Sequence, residues 1–455
     1  MDLDPVFLSR LQFALTICFH YIFPQLTIGL AWVIVWMTTR YVQTGDEAFR
    51  RMSRFWIKVF ALSFAVGVAT GITMEFQFGT NWANYSKFVG DVFGAPLAAE
   101  GIFAFFLESS FLGILLFGEQ RVSKRVYWLS SVLVAVGSTL SAFWIIVANS
   151  WQQTPAGYEI VGGRAQLVDF WAAVFNPSMI PGFLHTIGGA LVTGTLFVVG
   201  LSAWYLLRKQ HVEFAKRSLI IGLVGGFVFA VATVPLGHLQ AVQVAKNQPE
   251  KLAAFEGHWE TTTHAPLLLV GIPNAEEERT DFAIHLPNLL SIGVGGSADT
   301  EVMGLKDVPR DERPPLIISF FSFHLMVGLG MYFIGLTGWG LLLWLLGRLY
   351  DSRLFLKIAL LSIPLPFIAN ELGWIAAEVG RQPWAVYKLM RTADGISPTV
   401  PAAQILFSII MFSVIYALLF CLWIFALRRK LLKGPEDFST PDANEGSAAS
   451  QEVLS

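Results

Sequence analysis

Residues 316–346 read LIISFFSFHLMVGLGMYFIGLTGWGLLLWLL, a run with no Asp, Glu, Lys or Arg that ends two residues before Arg348. An α-helix rises 1.5 Å per residue, so about 20 apolar residues cross the ~30 Å hydrocarbon layer of a bilayer, and this run is long enough to do so. Comparable runs recur at 11–38, 55–77, 97–117, 127–149, 183–207, 217–241, 354–376 and 403–427. Nine spans are therefore predicted. The whole chain has 455 residues, 54% hydrophobic and only 14% charged, and short polar joins separate most spans. That pattern predicts an all-α, polytopic membrane helical bundle forming one domain over residues 1–433. The polar stretch 434–455 is expected to be a disordered tail.

Basic residues predict the orientation. Arg40, Arg50, Arg51, Arg54 and Lys58 follow the first span, and Arg121, Lys124 and Arg125 the third. Arg208, Lys209, Lys216 and Arg217 follow the fifth, Arg348, Arg353 and Lys357 the seventh, and Arg428, Arg429, Lys430 and Lys433 the ninth. Every second join is basic, so by the positive-inside rule those joins are cytoplasmic, the N-terminus lies outside and the C-terminus inside. The outward joins at about 150–182, 242–315 and 377–402 are much longer than a helical hairpin requires, and the middle one, with Trp259 and mixed charges, is expected to form a partly folded lid. No Walker loop or dinucleotide-binding glycine pattern is present, which argues against a nucleotide-driven pump.

Ionisable groups at membrane depth are costly, so each is a functional candidate. Span one carries His20, span three Glu100 and Glu108, span five His185 and span eight Glu371 and Glu378, and span seven adds the uncharged thioether of Met326. His, Met and carboxylate can all ligate haem iron: a His/Met pair saturates it, whereas a single ligand leaves a position for oxygen. Taken one at a time, the residues have plainer readings. A lone His joins helices by hydrogen bonds as readily as it binds metal, a Met is usually core filler, and Glu108 could carry protons or be a paired structural carboxylate. An oxidase, a di-haem membrane cytochrome b and a proton-coupled transporter therefore all remain open.

The strings around these residues resemble subunit I of the cytochrome bd family of quinol oxidases. Gly380-Arg381-Gln382-Pro383-Trp384, preceded by Trp374 and Glu378, is similar to its signature pentapeptide. Arg10-Leu11-Gln12-Phe13-Ala14-Leu15-Thr16 with His20, and Glu75-Phe76-Gln77-Phe78-Gly79-Thr80-Asn81-Trp82, resemble its first two spans. Gly94-Ala95-Pro96-Leu97 with Glu100-Gly101, Phe105-Phe106-Leu107-Glu108-Ser109 and Met326-Val327-Gly328-Leu329-Gly330 follow in the expected order, so the resemblance runs from Arg10 to about Arg428.

The resemblance implies a respiratory terminal oxidase of the bacterial cytoplasmic (inner) membrane that oxidises ubiquinol or menaquinol and reduces O2 to water. It implies a low-spin haem b held by His185 and Met326, and a high-spin haem b and a haem d whose proximal ligands are His20 and Glu378, the division between them left open. Glu100 matches a carboxylate beside the high-spin pair, Glu108 with Ser141 a proton route to it, and Arg381 and Trp374 a propionate partner and an electron-transfer aromatic. Lys251 and Glu256 match positions of the quinol-binding loop, although by the residues alone this segment reads as a solvated helix with an ordinary charge pair. The loop resembles the short-loop class, in which relatively cyanide-insensitive oxidases also occur. His324 stands where the family leads us to expect an arginine, and the simplest reading is that it donates to a haem propionate instead. A second integral membrane subunit is implied, with a small single-span subunit as a further candidate; no nucleic-acid partner is expected.

Overall fold

The computed structural model describes residues 4–436, so the predicted disorder of the tail beyond residue 436 lies outside the described residues. Among these, nine helices are long and apolar enough to cross a bilayer: Pro5–Thr44, Glu47–Thr80, Ala83–Phe117, Lys124–Gln153, Met179–Leu207, Val212–Asn247, Leu316–Leu345, Arg353–Val379 and Ala402–Lys433. They coincide with the nine predicted runs and extend most of them by polar turns. The extensions have local causes. Asp4 caps the first helix by accepting from the Val6 amide at 2.9 Å, with Pro5 in the first turn, and Gly45 closes it in the left-handed conformation (φ 70°). Asp46 then caps span two, accepting from the Ala48 amide, and Ser123 caps span four through Val126.

Polar contacts sort the joins into two ends. Arg217 on span six pairs with Asp46 at 2.7 Å, Arg54 on span two with Glu119 at 2.8 Å, and Arg54 again with Glu436 at 2.9 Å. The first, third and fifth joins and the end of span nine therefore share one end of the bundle, the basic one. At the other end Tyr387 donates to Glu250 at 2.6 Å, Arg391 pairs with Asp311 at 2.8 Å and the Ser397 amide donates to the Asn81 carbonyl at 2.9 Å. There the long joins fold against one another.

Spans one and five cross closely. A Cβ on Gly29 would lie 2.8 Å from the Gly194 nitrogen, so both positions require glycine, as small-residue membrane crossings do. Around this crossing Phe23, Leu26, Leu30, Met37, Trp56, Phe60 and Tyr205 form a fully buried core. Span three is interrupted by a π-helical segment, Glu100–Phe105. Span eight is broken after Leu361 and resumes at Leu365.

The predicted lid is folded. It comprises the short helix Pro249–Glu256, a hairpin of β3 (Leu267–Asn274) with β4 (Arg279–Leu286), and the helix Leu289–Gly295. The fourth join carries a smaller hairpin, β1 (Tyr158–Val161) with β2 (Arg164–Leu167), and the eighth the short pair β5 (Trp384–Val386) with β6 (Met390–Arg391).

Candidate functional site

His20 projects from span one toward span two, its Nδ1 3.0 Å from the Thr70 hydroxyl oxygen. That hydroxyl is itself within 3.0 Å of the Val66 and Gly67 carbonyls, which can only accept, so its hydrogen goes to the helix and its oxygen accepts from the ring. The arrangement puts the ring proton on Nδ1 and leaves Nε2 as the lone pair, the usual outer support of a ligating histidine. Gly71 makes room for the ring: a Cβ there would sit 3.1 Å from His20 Cε1.

His185 on span five lies against Gly237 of span six, where a Cβ would be 3.2 Å from its Cε1. Its Nδ1 is buried with no hydrogen-bond partner among the described residues. Met326 on span seven points its sulfur at Gly373 of span eight, where a Cβ would be 2.8 Å away. Three candidate ligands thus each face a glycine notch.

Glu378, at the end of span eight, sits in a polar cluster. Its Oε1 accepts from Asn149 Nδ2 at 2.8 Å and Gln153 Nε2 at 3.1 Å, and its Oε2 from Arg381. A carboxylate offers about four lone-pair positions, so three donors leave one, on Oε2, for an iron. Arg381 is only 5% exposed, and its Nε and Nη1 have no partner among the described residues, a pair of donors whose geometry fits a carboxylate such as a haem propionate. Trp374 is half-buried one turn before Glu378. Three ligand notches, an orphaned imidazole nitrogen and two orphaned guanidinium donors fit haem. Among the described residues no group of three or more His, Cys, Asp or Glu could hold a bare metal ion.

The lid reaches into this cluster. Lys251 Nζ donates to Gln153 Oε1 at 2.7 Å and Gln248 Oε1 at 2.9 Å, while its stem lies over Gly380, where a Cβ would be 3.0 Å from Cγ and Cε. Lys251 and Glu256 are 3% and 5% exposed, which overturns the reading of this segment as a solvated helix with an ordinary charge pair. Burial lowers the Lys251 ammonium to about 7 and pushes the Glu256 carboxyl up to about 8. Glu256 accepts from the Leu268 amide at 3.4 Å.

The carboxylates of span three both face span four. Ser141 donates to Glu100 at 2.7 Å, and it is Ser138 that donates to the buried Glu108. In an unbroken α-helix residues eight apart are turned about 80° from each other; the extra residue taken up by a π segment removes about 100°, bringing Glu100 and Glu108 within about 20°. Two serines three residues apart then serve both. His324 also differs from the simplest expectation. Its Nδ1 lies 3.1 Å from the Phe320 carbonyl and its Nε2 3.1 Å from the Leu268 carbonyl, so both ring nitrogens face protein acceptors and the one hydrogen of a neutral ring can serve either.

Sequence reasoning missed Thr70, Ser138, Asn149, Gln153 and Gln248. For span four a signal existed: Ser138, Ser141, Asn149 and Gln153 fall within about 120° of one another at 100° per residue, a polar stripe on an apolar helix.

Comparison with known proteins places these residues in context. The family model described as cytochrome bd terminal oxidase subunit I matches residues 8–435. The chain is 41% identical to cytochrome bd ubiquinol oxidase subunit 1 of Bacillus subtilis, over 94% of each chain. It is 39% identical to cytochrome bd-II ubiquinol oxidase subunit 1 of Escherichia coli, over 95% of this chain and 97% of that one. A putative cytochrome bd menaquinol oxidase subunit I of Bacillus subtilis is 34% identical, over 97% of this chain and all of its own. The bd oxidase structure from Geobacillus thermodenitrificans superposes with a TM-score of 0.89 at 32% identity, covering 96% of this chain and 100% of that one.

Proposed function

The chain belongs to the cytochrome bd terminal oxidase subunit I family, and from that premise we propose that its lid takes a quinol and its bundle holds three haems at the residues described above. It is the haem-bearing catalytic subunit of a quinol:oxygen oxidoreductase, a multi-pass protein of the bacterial inner membrane. His185 and Met326 would hold a low-spin haem b, and His20 and Glu378 the two high-spin haems, one b and one d. When bound, the haems supply one-electron transfer from quinol and, at the high-spin pair, the iron at which O2 is reduced.

The remaining work falls to side chains of this chain. Two quinols lose four electrons and four protons for each O2 converted to two waters. Glu256, whose carboxyl is raised by burial to about 8, can take a quinol proton once it has released its own to the outer face. Lys251 keeps the lid helix seated on the Gln153–Glu378 cluster. Glu108 and Glu100, each hydrogen-bonded to a serine of span four, lead protons from the basic, cytoplasmic end toward the high-spin pair. With quinol protons released outside and consumed protons drawn from inside, a gradient arises without a pump. The lid would belong to the short-loop class, and the complex would include a second integral subunit, with a small single-span subunit as a further candidate.

The observation that carries this reading is the buried chain Lys251–Gln153–Glu378, which joins the lid to a proposed ligand carboxylate. A reduced-minus-oxidised optical spectrum of the purified complex tests it. Haem b together with the far-red band of a chlorin is expected; haem b alone would indicate a plain membrane cytochrome, and no haem a transporter.

A further inference from the structure

His324 lies two residues before Met326 on span seven, and its contacts lead to the lid. The ring is stacked on Phe320 (centroids 4.1 Å apart, 27° between planes) and meets Phe323 edge-on at 5.5 Å. These rings hold it in one plane. In that plane Nε2 faces the carbonyl of Leu268 on β3 at 3.1 Å. A carbonyl can only accept, so this bond needs the ring's hydrogen on Nε2; Nδ1 faces the Phe320 carbonyl at 3.1 Å, one turn earlier on the same helix where that oxygen takes a helix amide, and a neutral ring has one hydrogen to give.

Leu268 is bonded on both of its backbone groups. The N–H goes to Glu256 at 3.4 Å and the C=O to His324, and the side chain is 4% exposed. A residue of an antiparallel strand points its own N–H and C=O the same way, here away from β4 and along the free edge of a two-stranded hairpin. A register shift between Leu268 and Val270 sits beside it. An edge of this kind is open unless something covers it, and two side chains from different elements do so. Immediately alongside, Phe255 stacks on Phe323 (4.8 Å, 5°), so the residue before Glu256 is packed on the residue before His324.

We propose that His324 is a positioning residue for quinol oxidation, a latch that fastens the edge of β3 to span seven and thereby presents the Leu268 amide to Glu256. The proposal rests on the reading of Pro249–Glu256 as the quinol-binding segment. It replaces the propionate role: the histidine links the lid to the helix of Met326 through protein groups alone. Orienting the Glu256 carboxyl and setting the distance between the lid and the Met326 helix then become one structural event.

The test uses the complete complex in its membrane, with His324→Ala and His324→Gln. Glutamine retains an N–H donor of comparable reach; alanine has none. Three readouts are taken: protease cleavage within residues 267–286, KM for quinol against kcat, and the spectrum of the low-spin haem. For His324→Ala, cleavage and KM should each rise roughly fivefold, the shift that one net hydrogen bond supports, with kcat and the low-spin spectrum nearly unchanged. His324→Gln should restore both. Unchanged cleavage in His324→Ala, or a shifted low-spin spectrum with an intact hairpin, overturns the latch. Faster cleavage with an unchanged KM overturns the quinol half of the proposal and with it the placement of quinol at Pro249–Glu256.

Discussion

Replacing Gln153 by leucine isolates the link between the lid and Glu378. Leucine is of similar size but neither accepts from Lys251 nor donates to Glu378, so the 2.7 Å and 3.1 Å bonds are both lost while packing is kept. Hydrogen bonds to charged groups contribute about 1.5–3 kcal/mol each, which sets the loss at ~3–6 kcal/mol. Lys251 retains Gln248 at 2.9 Å, and Glu378 retains Asn149 at 2.8 Å and Arg381, so relaxation favours the lower figure. About 3 kcal/mol corresponds to a fall of ~10² in quinol-driven oxygen uptake per haem. The double variant with Lys251→Met decides whether the effect travels through that lysine. Because the two residues share one bond, the double variant should be worse than Lys251→Met alone only by the lost bond to Glu378, falling short of the summed single losses by a coupling of ~1.5–3 kcal/mol. Uptake within twofold of the parent in Gln153→Leu, or strictly additive losses in the double variant, would refute the reasoning.

Glu108→Gln should slow oxygen reduction while haem content stays nearly intact, and Ser138→Ala should slow it more than tenfold less severely than a lost carboxylate does but still measurably, since the hydroxyl contributes about 1 kcal/mol; normal turnover in both would remove Glu108 from the proton route. Met326→Leu should convert the low-spin haem spectrum toward high-spin, and an unchanged reduced spectrum would sink that ligand assignment. Quinol oxidation should accelerate as pH rises through about 8, where the raised Glu256 carboxyl loses its proton and becomes an acceptor, whereas Lys251 surrenders its charge above about 7. Glu256→Gln should abolish that rise, and an unaltered pH profile would exclude Glu256 as the acceptor.

The nine spans and their two-ended arrangement were legible because bilayer thickness acts on every residue of a span at once, and the basic joins recur with the same parity as the helices. Single ionisable residues within the spans were legible too, since His20, Glu100, Glu108 and His185 stand out against apolar neighbours. Their roles came from motif resemblance. What could not be read was pairing. Periodicity assumes an uninterrupted α-helix, and the π segment at Glu100–Phe105 turns Glu100 toward the face of Glu108, so that Ser141 bonds Glu100 and Ser138, which the motifs did not single out, bonds Glu108. The lid charge pair failed for a different reason. Lys251 and Glu256 look solvated on their own helix, and only packing against Gln153 and Leu268, residues far away or across a loop, buries them.

Span four then takes on a role that its sequence hardly advertises, having neither a proposed ligand nor a carboxylate of its own. Its polar stripe meets Glu108 through Ser138, Glu100 through Ser141, Glu378 through Asn149, and Glu378 with Lys251 through Gln153. Read from one end to the other, a single rigid helix sets the positions of the carboxylates on span three, the proposed ligand carboxylate on span eight and the lysine of the lid. Neutral hydroxyls and amides suit this task better than charges would. An amide accepts from an ammonium on one side and donates to a carboxylate on the other, with no net charge to desolvate, whereas an ionised residue at the same depth would need a partner of its own. The helix can therefore keep the proposed proton-carrying carboxylates and the proposed ligand carboxylate in fixed register while adding no charge that competes with theirs. A substitution along the stripe should accordingly act on both half-reactions through geometry, most strongly where one side chain serves two partners, as Gln153 does.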